Sequence, residues 1–219
     1  TAVAETSLTL ADITTVIDTG WSRTVRFDPA RAMEHLITVP VSRAAADQRA
    51  GRAGRQGPGV CYRLYAESAY DRAAAQDEPE IRQADLAGLA LELAVWGVGD
   101  PLALSWLDAP HPARYAQARA LLRALAALDG QHRITPHGRA MAQLGVHPRL
   151  AHLLLRARAA GRGRLACRVA AVVESRDALR QTQAAPSVDL HDRLALFDAS
   201  TGGAAASLRR LADQLAPRL

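Results

Sequence analysis

The sequence runs Gln48-Arg49-Ala50-Gly51-Arg52-Ala53-Gly54-Arg55 at its most informative point. Ser42, a residue type that favours the N-cap, predicts a helix that begins just before this octet. At about 3.6 residues per turn, Gln48, Arg52 and Arg55 fall on one face of that helix, and Gly51 and Gly54 flank the face without side chains. Planar guanidinium groups beside glycines suit an anion with several oxygens that approaches the backbone closely. A triphosphate is such an anion, whereas an Arg-rich solvated helix would explain neither the glutamine nor the glycines.

Two further motifs precede the octet. The chain opens on Thr1-Ala2-Val3-Ala4-Glu5-Thr6-Ser7-Leu8-Thr9, and residues 16–20 read Val-Ile-Asp-Thr-Gly. Together with Arg26-Phe27-Asp28-Pro29 and the segment Ala-Gln-Asp-Glu-Pro-Glu-Ile at 75–81, they resemble the DEAH-box group of superfamily 2 helicases in its bacterial, HrpB-type branch. The resemblance is detailed to about residue 180. Ala2 stands where that family usually has asparagine.

The resemblance implies a role for each motif in an ATP-dependent helicase, with RNA as the expected substrate. Gln48, Arg52 and Arg55 would be catalytic, with the two arginines as fingers on the transferred phosphoryl group. The residues implied in ATP binding and sensing are Ser7, Arg49 and Gly51, and those implied in binding the nucleic-acid backbone are Thr1 and Thr6. The implied cofactors are ATP and Mg²⁺, and the implied partners are RNA or single-stranded nucleic acid and the N-terminal RecA-like domain of the same protein.

The other half of such a nucleotide site is missing from the sequence. The chain contains no lysine, so it has no P-loop of the form G-x-x-x-x-G-K-[ST], and no D-E-x-H or D-E-x-D string occurs to hold Mg²⁺. We therefore predict that the Mg²⁺ ligands lie outside this chain, that the chain is a fragment of a longer protein, and that it has no ATPase activity alone. No metal site is predicted within it.

The order of the patterns predicts a helix-rich protein in three parts. Residues 1–78 are expected to form the C-terminal half of the second RecA-like domain, an α/β unit with a β-hairpin around Asp28-Pro29. Leucine stripes ended by Gly97 and by Asp129-Gly130, followed by Thr135-Pro136 as a helix start, predict a mostly α winged-helix domain over 79–146. Residues 147–219, from His147-Pro148 onward, are expected to form an incomplete helical ratchet-type domain.

Composition sets limits on the class of protein. Hydrophobic residues make up 49% of the 219 residues and aromatic ones only 4%, so the cores must be built from Leu, Ala and Val. The net charge of +5 and the pI near 10 permit nucleic-acid binding. Since all 27 basic residues are arginine, the position of an arginine is more informative than its presence. The dense basic stretch of Arg156, Arg158, Arg162, Arg164 and Arg168 could contact phosphates or simply end solvated helices.

No uncharged apolar run of about 18 residues exists, which predicts a soluble, cytoplasmic protein without a membrane partner. Cys61 and Cys167 have no spacing typical of a metal site or a disulfide. The histidines lie in no metal-binding motif, and the pairs five residues apart do not share a helical face. Two alternatives to the helicase segment stay open: a stand-alone winged-helix nucleic-acid-binding protein, and a scaffold without ATPase activity.

Overall fold

A computed structural model describes residues 13–28, 33–174, 189–199 and 203–216. The chain divides into two compact units. The first comprises Thr1–Asp85 with Trp106–His111, and the second comprises Leu86–Ser105 with Pro112–Leu219. The expected boundaries at 78/79 and 146/147 stay predictions.

The first unit holds two small sheets and the helix that carries the octet. Its strands are β1 (Thr15–Asp18), β2 (Trp21–Asp28), β3 (Met33–Pro40) and β4 (Val60–Arg63), and its helices are α1 (Arg43–Ala53) and α2 (Glu67–Asp71). Strands β1 and β4 pair in parallel, from Thr15 opposite Val60 to Asp18 opposite Arg63, and α1 packs against both. This β1–α1–β4 arrangement places the octet helix on one face of a parallel sheet.

Strands β2 and β3 form the expected antiparallel hairpin, in register from Trp21 opposite Pro40 to Asp28 opposite Met33. The turn at 29–32 lies outside the described residues. Two contacts join the turn end of the hairpin to the chain after α2. The Phe27 amide donates to the Gln83 carbonyl at 3.3 Å, and Arg26 lies 3.8 Å from the Glu78 carboxylate.

Two glycines of the first unit are required by close approach. Gly20 has φ +78°, and a Cβ there would lie 2.6 Å from the Tyr65 ring. A Cβ on Gly59 would lie 2.0 Å from the Ala53 carbonyl oxygen. Only glycine therefore lets the chain turn back from the end of α1 into β4.

The second unit is helical throughout its described part, apart from a single β-bridge. Its helices are α3 (Ala87–Val95), α4 (Pro112–Ala124), α5 (Pro136–Gln143), α6 (Pro148–Ala159), α7 (Gly163–Glu174), α8 (Leu190–Ala199) and α9 (Gly203–Leu215). The largest fully buried side chains include Leu93, Leu122, Met141, Leu154 and Leu215. The core is built mainly from aliphatic residues, as the composition predicts, with Tyr115 and Phe197 also buried.

The expected helix starts of this unit are confirmed. The Thr135 hydroxyl accepts from the Gly138 amide at 3.0 Å and opens α5. His147 opens α6, where its Nδ1 accepts from the Arg149 amide at 3.2 Å. Between α4 and α5, Asp129 accepts from the Gln131 and Arg133 amides, and Leu128 forms an antiparallel bridge with Ile134.

Two details of the helices differ from the expectation. The octet helix ends at Ala53 with Gly54 as its C-cap, so Arg55 lies beyond it and does not share a helical face with Gln48 and Arg52. Trp96, which directly precedes Gly97 and continues the spacing of the leucine stripe predicted to end there, is 72% exposed. Helix α3 ends at Val95, which places Trp96 outside the periodic segment.

Candidate nucleotide site

The octet helix α1 has a buried side and an open side. Ser42 caps it, since its hydroxyl accepts from the Ala45 amide at 3.1 Å, and both Ser42 and Ala45 are buried. Ala46 and Ala53 complete the buried side. On the open side, nothing lies within 4 Å of the position that a Cβ would take on Gly51. A glycine inside a helix costs about 1 kcal/mol relative to alanine, and no neighbour in the described chain requires it.

Arg49, the second residue of the octet, faces the protein interior. Its Nη1 donates to Asp18 Oδ1 at 3.0 Å and to the Trp21 carbonyl at 3.1 Å. Asp18, at the end of β1, is only 2% exposed. It also accepts from the Gly20 amide at 3.0 Å and from the Tyr65 hydroxyl at 3.2 Å. The carboxylate thus joins the end of β1, the chain after β4 and the octet helix in one hydrogen-bonded network, hereafter the Asp18 network.

Burial, with the charge of Asp18 as the second cause, raises the pKa of Tyr65 to about 12. The tyrosine is therefore a neutral donor to Asp18 at physiological pH. A neutral hydroxyl and a guanidinium on one buried carboxylate satisfy its oxygens, which is the condition for a stable buried charge.

A second network holds the preceding turn of α1. Asp47 accepts from Arg63 of β4 at 2.6 Å and from the Tyr70 hydroxyl at 2.8 Å, and the Arg63 guanidinium lies 4.3 Å from the centre of the Tyr70 ring. The hydrogen bond from Tyr70 and then that from Arg63 lower the pKa of Asp47. The two networks thus join α1 to β1, to β4 and to α2.

Two of the remaining polar residues of the octet lie toward solvent. Gln48 and Arg55 are exposed, and within the described ranges neither side chain has a hydrogen-bond or ion-pair partner. Arg52 is half-buried on the same side of α1 as Gln48, one turn later. The structure therefore separates the octet into one arginine held by Asp18 and a set of donors that includes the exposed Gln48 and Arg55.

Of the other sequence-predicted site residues, Thr1, Thr6 and Ser7 lie outside the described residues. Gly51 lies on the open side of α1 beside Gln48 and Arg52. The assignment of Arg49 to ATP binding stays a prediction, and its observed contacts are those of a residue that orients α1.

Sequence reasoning missed the partners of the octet. Asp18 is 31 positions from Arg49, and only the parallel pairing of β1 with β4 and the crossover through α1 bring the two together. It also missed the pair formed by His137 of α5 and His152 of α6, whose Nε2 and Nδ1 lie 3.0 Å apart. Burial and then the neighbouring His152 lower the pKa of His137.

Among the described residues, no group of three or more His, Cys, Asp or Glu side chains is arranged to hold a metal ion. None of the helices they form is both long and apolar enough to span a bilayer.

Comparison with known proteins identifies close relatives. No family model matches the chain. The ATP-dependent RNA helicase HrpB of Escherichia coli K12 is 47% identical over 174 residues, which are 80% of this chain and 21% of that protein. The pre-mRNA-splicing factor ATP-dependent RNA helicase prp22 of Schizosaccharomyces pombe is 43% identical over 156 residues, 71% of this chain and 13% of that protein.

Solved structures agree with the sequence comparison. A crystal structure of the E. coli DExH-box NTPase HrpB matches with a TM-score of 0.84 and 40% identity, covering 100% of this chain and 25% of that one. Another, of the Escherichia coli DEAH/RHA helicase HrpB, matches with a TM-score of 0.85. The chain spans about a fifth of the length of the first relative and about a quarter of these structures.

Proposed function

Because this chain is a homologous segment of the HrpB-type DEAH-box helicases, we propose that the whole protein is an ATP-dependent RNA helicase and that this segment supplies the arginine side of its ATP site. The names of the relatives support the reaction: both HrpB and prp22 are called ATP-dependent RNA helicases. The chain alone has neither a P-loop lysine nor a D-E-x-H string. The opposite side of the site is therefore assigned to the N-terminal RecA-like domain of the same protein.

The observation that carries this proposal is the difference between Arg49, which is paired within the protein, and Arg55, which is exposed. A purely structural arginine cluster would have its guanidinium groups paired, as Arg49 is paired with Asp18 at 3.0 Å. Arg55 instead is exposed and has no side-chain partner in the part of the chain that the structure describes. An exposed arginine whose guanidinium has no partner in the described chain is available to meet the negative charge that develops on a transferring phosphoryl group.

The other octet residues complete the proposal. Arg52 is the second finger, and Gln48 orients the γ-phosphate or the attacking water. Gly51, with open space above it, lets the nucleotide approach the helix backbone. The Asp18 network keeps α1 in position, so the donors are held without reorganisation when ATP binds.

The segment before β1 is proposed to connect ATP to RNA. Ser7 senses the γ-phosphate and Thr1 and Thr6 contact the nucleic-acid backbone. Mg²⁺ is required for phosphoryl transfer, and its ligands lie outside this chain. The helices over 79–146 and 147–219 form the winged-helix and ratchet-type domains, and the whole protein acts in the cytoplasm.

Steady-state ATP hydrolysis tests the proposal. The full-length protein should hydrolyse ATP in the presence of Mg²⁺, and single-stranded RNA should stimulate it. This 219-residue chain alone should show no turnover at millimolar ATP. An active isolated chain, or a full-length protein that binds RNA without hydrolysing ATP, would overturn the proposal, and the latter outcome would favour a stand-alone nucleic-acid-binding protein.

A further inference from the structure

Three arginines of the second unit surround one cavity between helices α6 and α7. Arg158 lies in the last turn of α6, Arg162 lies between the helices, and Arg164 lies in the first turn of α7. They line a cavity of about 670 Å³ together with Gly161, Gly163, Leu165, Cys167 and Ala216. We propose that this cavity, hereafter the arginine cavity, binds phosphate groups of the RNA backbone.

The connection between the helices is what gathers the three arginines. Gly161 has φ +72° and ends α6, where its amide donates to the Arg158 carbonyl at 2.9 Å and the Arg162 amide donates to the Ala157 carbonyl at 2.8 Å. A side chain at Gly161 would be strained in this conformation. The chain reverses within three residues, so cations that belong to different helices converge on one side.

The side chains of these arginines are available to a ligand. All three residues are exposed, and within the described ranges none of the three guanidinium groups has a hydrogen-bond or ion-pair partner. The neighbouring Arg168 and Arg209 differ, since Arg168 pairs with Asp198 and Arg209 donates to the Phe197 carbonyl at 3.0 Å. The lining of the arginine cavity includes no carboxylate from the described residues.

The charges at the N-terminus of α7 are unfavourable for the stability of the helix. A helix N-terminus carries partial positive charge and is stabilised by acidic residues, whereas cations there are unfavourable. The first turn of α7 contains no acidic residue, and Arg162 and Arg164 flank it. Arg162 occupies the N-cap position, because its carbonyl accepts from the Ala166 amide at 3.1 Å, and its side chain has no acceptor atom with which to cap the first turn. Arg158, in contrast, stabilises the C-terminus of α6.

An anion in the cavity would relieve this repulsion. It would meet three guanidinium groups and the amides of the first turn of α7, because the amides of Gly163, Arg164 and Leu165 have no acceptor within the described ranges. Phosphate oxygens suit both kinds of donor.

The lining also indicates which phosphate compound binds. Its described residues include no aromatic side chain and no carboxylate, and in the adjoining cavity, which shares Arg164 with it, Phe197 and Asp198 are engaged by Arg168. A site that recognises phosphate alone fits the backbone of a nucleic acid, bound without regard to sequence, rather than a free nucleotide. This inference rests on the proposed action on RNA and adds a contact point remote in sequence from the octet.

The test compares RNA binding by three variants of the full-length protein. R158Q/R162Q/R164Q removes the cavity cations. R123Q/R139Q/R149Q removes the same charge from exposed arginines of the second unit that lie outside the cavity. R158K/R162K/R164K keeps the charge. Affinity for mixed-sequence single-stranded RNA is measured at several salt concentrations, with ATP hydrolysis measured in parallel.

The cavity triple variant should bind RNA about tenfold more weakly or worse at low salt. The slope of log affinity against log salt should fall by about 2, since each single-strand phosphate contact contributes about 0.7. The lysine variant should restore most of the affinity, and the control should change far less. Equal losses in the cavity and control variants would overturn the inference, as they would show an effect of net charge alone.

Two further measurements distinguish RNA-backbone binding from a structural role of the arginines and from binding of free phosphates. The thermal midpoint of R162Q/R164Q should be unchanged or higher, because two cations leave a helix N-terminus, and a lower midpoint would show a structural role. If inorganic pyrophosphate stabilises the wild type but not the cavity variant, while RNA binding is the same in both, the cavity takes free phosphates and the inference is wrong. Absence of ATP hydrolysis in the wild type would instead refute the proposed function.

Discussion

Two arginines six positions apart in the octet have opposite environments. The Arg49 side chain is 11% exposed and pairs with a carboxylate that is 1% exposed, whereas Arg55 is exposed and lies beyond the end of α1. Chemically identical residues therefore differ in environment: Arg49 orients the helix, and Arg55 is the one that we propose contacts a ligand. The sequence pattern alone does not separate them, since every cation of the chain is an arginine.

Arg49→Gln should destabilise the protein. The change leaves the Asp18 carboxylate buried without its cation, and breaking a buried pair in this way costs about 3 kcal/mol or more. Arg55→Gln is the matched control and should leave stability within about 0.5 kcal/mol, as expected for an exposed site. Urea unfolding measures both, and equal midpoints for the two variants would show that the Asp18 network does not hold the octet helix.

Tyr65 should make stability depend on alkaline pH. Its pKa in the folded protein is raised to about 12 by burial beside Asp18, above its ordinary value of 10.0. The folded state then keeps a proton that the unfolded chain loses, so this contribution is fully present below pH 10 and is lost as pH rises through about 12. Tyr65→Phe should flatten the decline in this window, and Tyr62→Phe, an exposed control, should leave it unchanged. A decline of the same steepness in Tyr65→Phe would contradict the expectation.

Gly51→Ala should separate stability from activity. A methyl group meets nothing within 4 Å, and alanine favours the helix, so the protein should gain about 0.5–1 kcal/mol in unfolding free energy. If the nucleotide approaches the backbone here, the same methyl group should raise the KM for ATP or lower turnover in the full-length protein. If the variant gains stability and hydrolyses ATP as well as the wild type does, Gly51 is not part of the proposed nucleotide site.

At the scale of elements, the return from α1 to β4 depends on a single glycine. Gly59→Ala should cost about 2 kcal/mol or more, because its Cβ would lie 2.0 Å from the Ala53 carbonyl oxygen and the backbone would have to move. Gly57→Ala, two residues earlier, meets nothing within 4 Å and is the matched control. Thermal unfolding distinguishes them, and a harmless Gly59→Ala would mean that the turn adjusts freely.

Local chemistry predicted the element starts, because a cap is made within a few residues. Ser42, Thr135 and His147 all open helices where the sequence places them. The end of α1 was predicted wrongly, since the octet pattern placed Arg55 on the helix and Gly54 is its C-cap. Contacts between Asp18 and Arg49, or between His137 and His152, could not be predicted from spacing, because they depend on how separate elements pack.

At the scale of the whole molecule, the candidate site was predictable only in part. The octet itself pointed to a phosphate-binding surface, and its helix was expected from Ser42. The resemblance to DEAH-box helicases was confirmed by relatives at 40–47% identity, including a structure with a TM-score of 0.84. The arginine cavity was visible in the sequence only as a basic stretch, since the reversal at Gly161 decides which cations converge.

The central claim is that Arg52 and Arg55 act on the phosphoryl group in the transition state. It is tested most directly by RNA-stimulated ATP turnover and ATP affinity of the full-length protein in three variants: Arg52→Ala, Arg55→Ala and the surface control Arg139→Ala. We predict that each octet variant lowers turnover by about a thousandfold while ATP affinity changes much less, because the charge they meet develops only during transfer. The control should keep full activity. Turnover within a factor of about two of the wild type in both octet variants would contradict the claim and leave the octet a structural element.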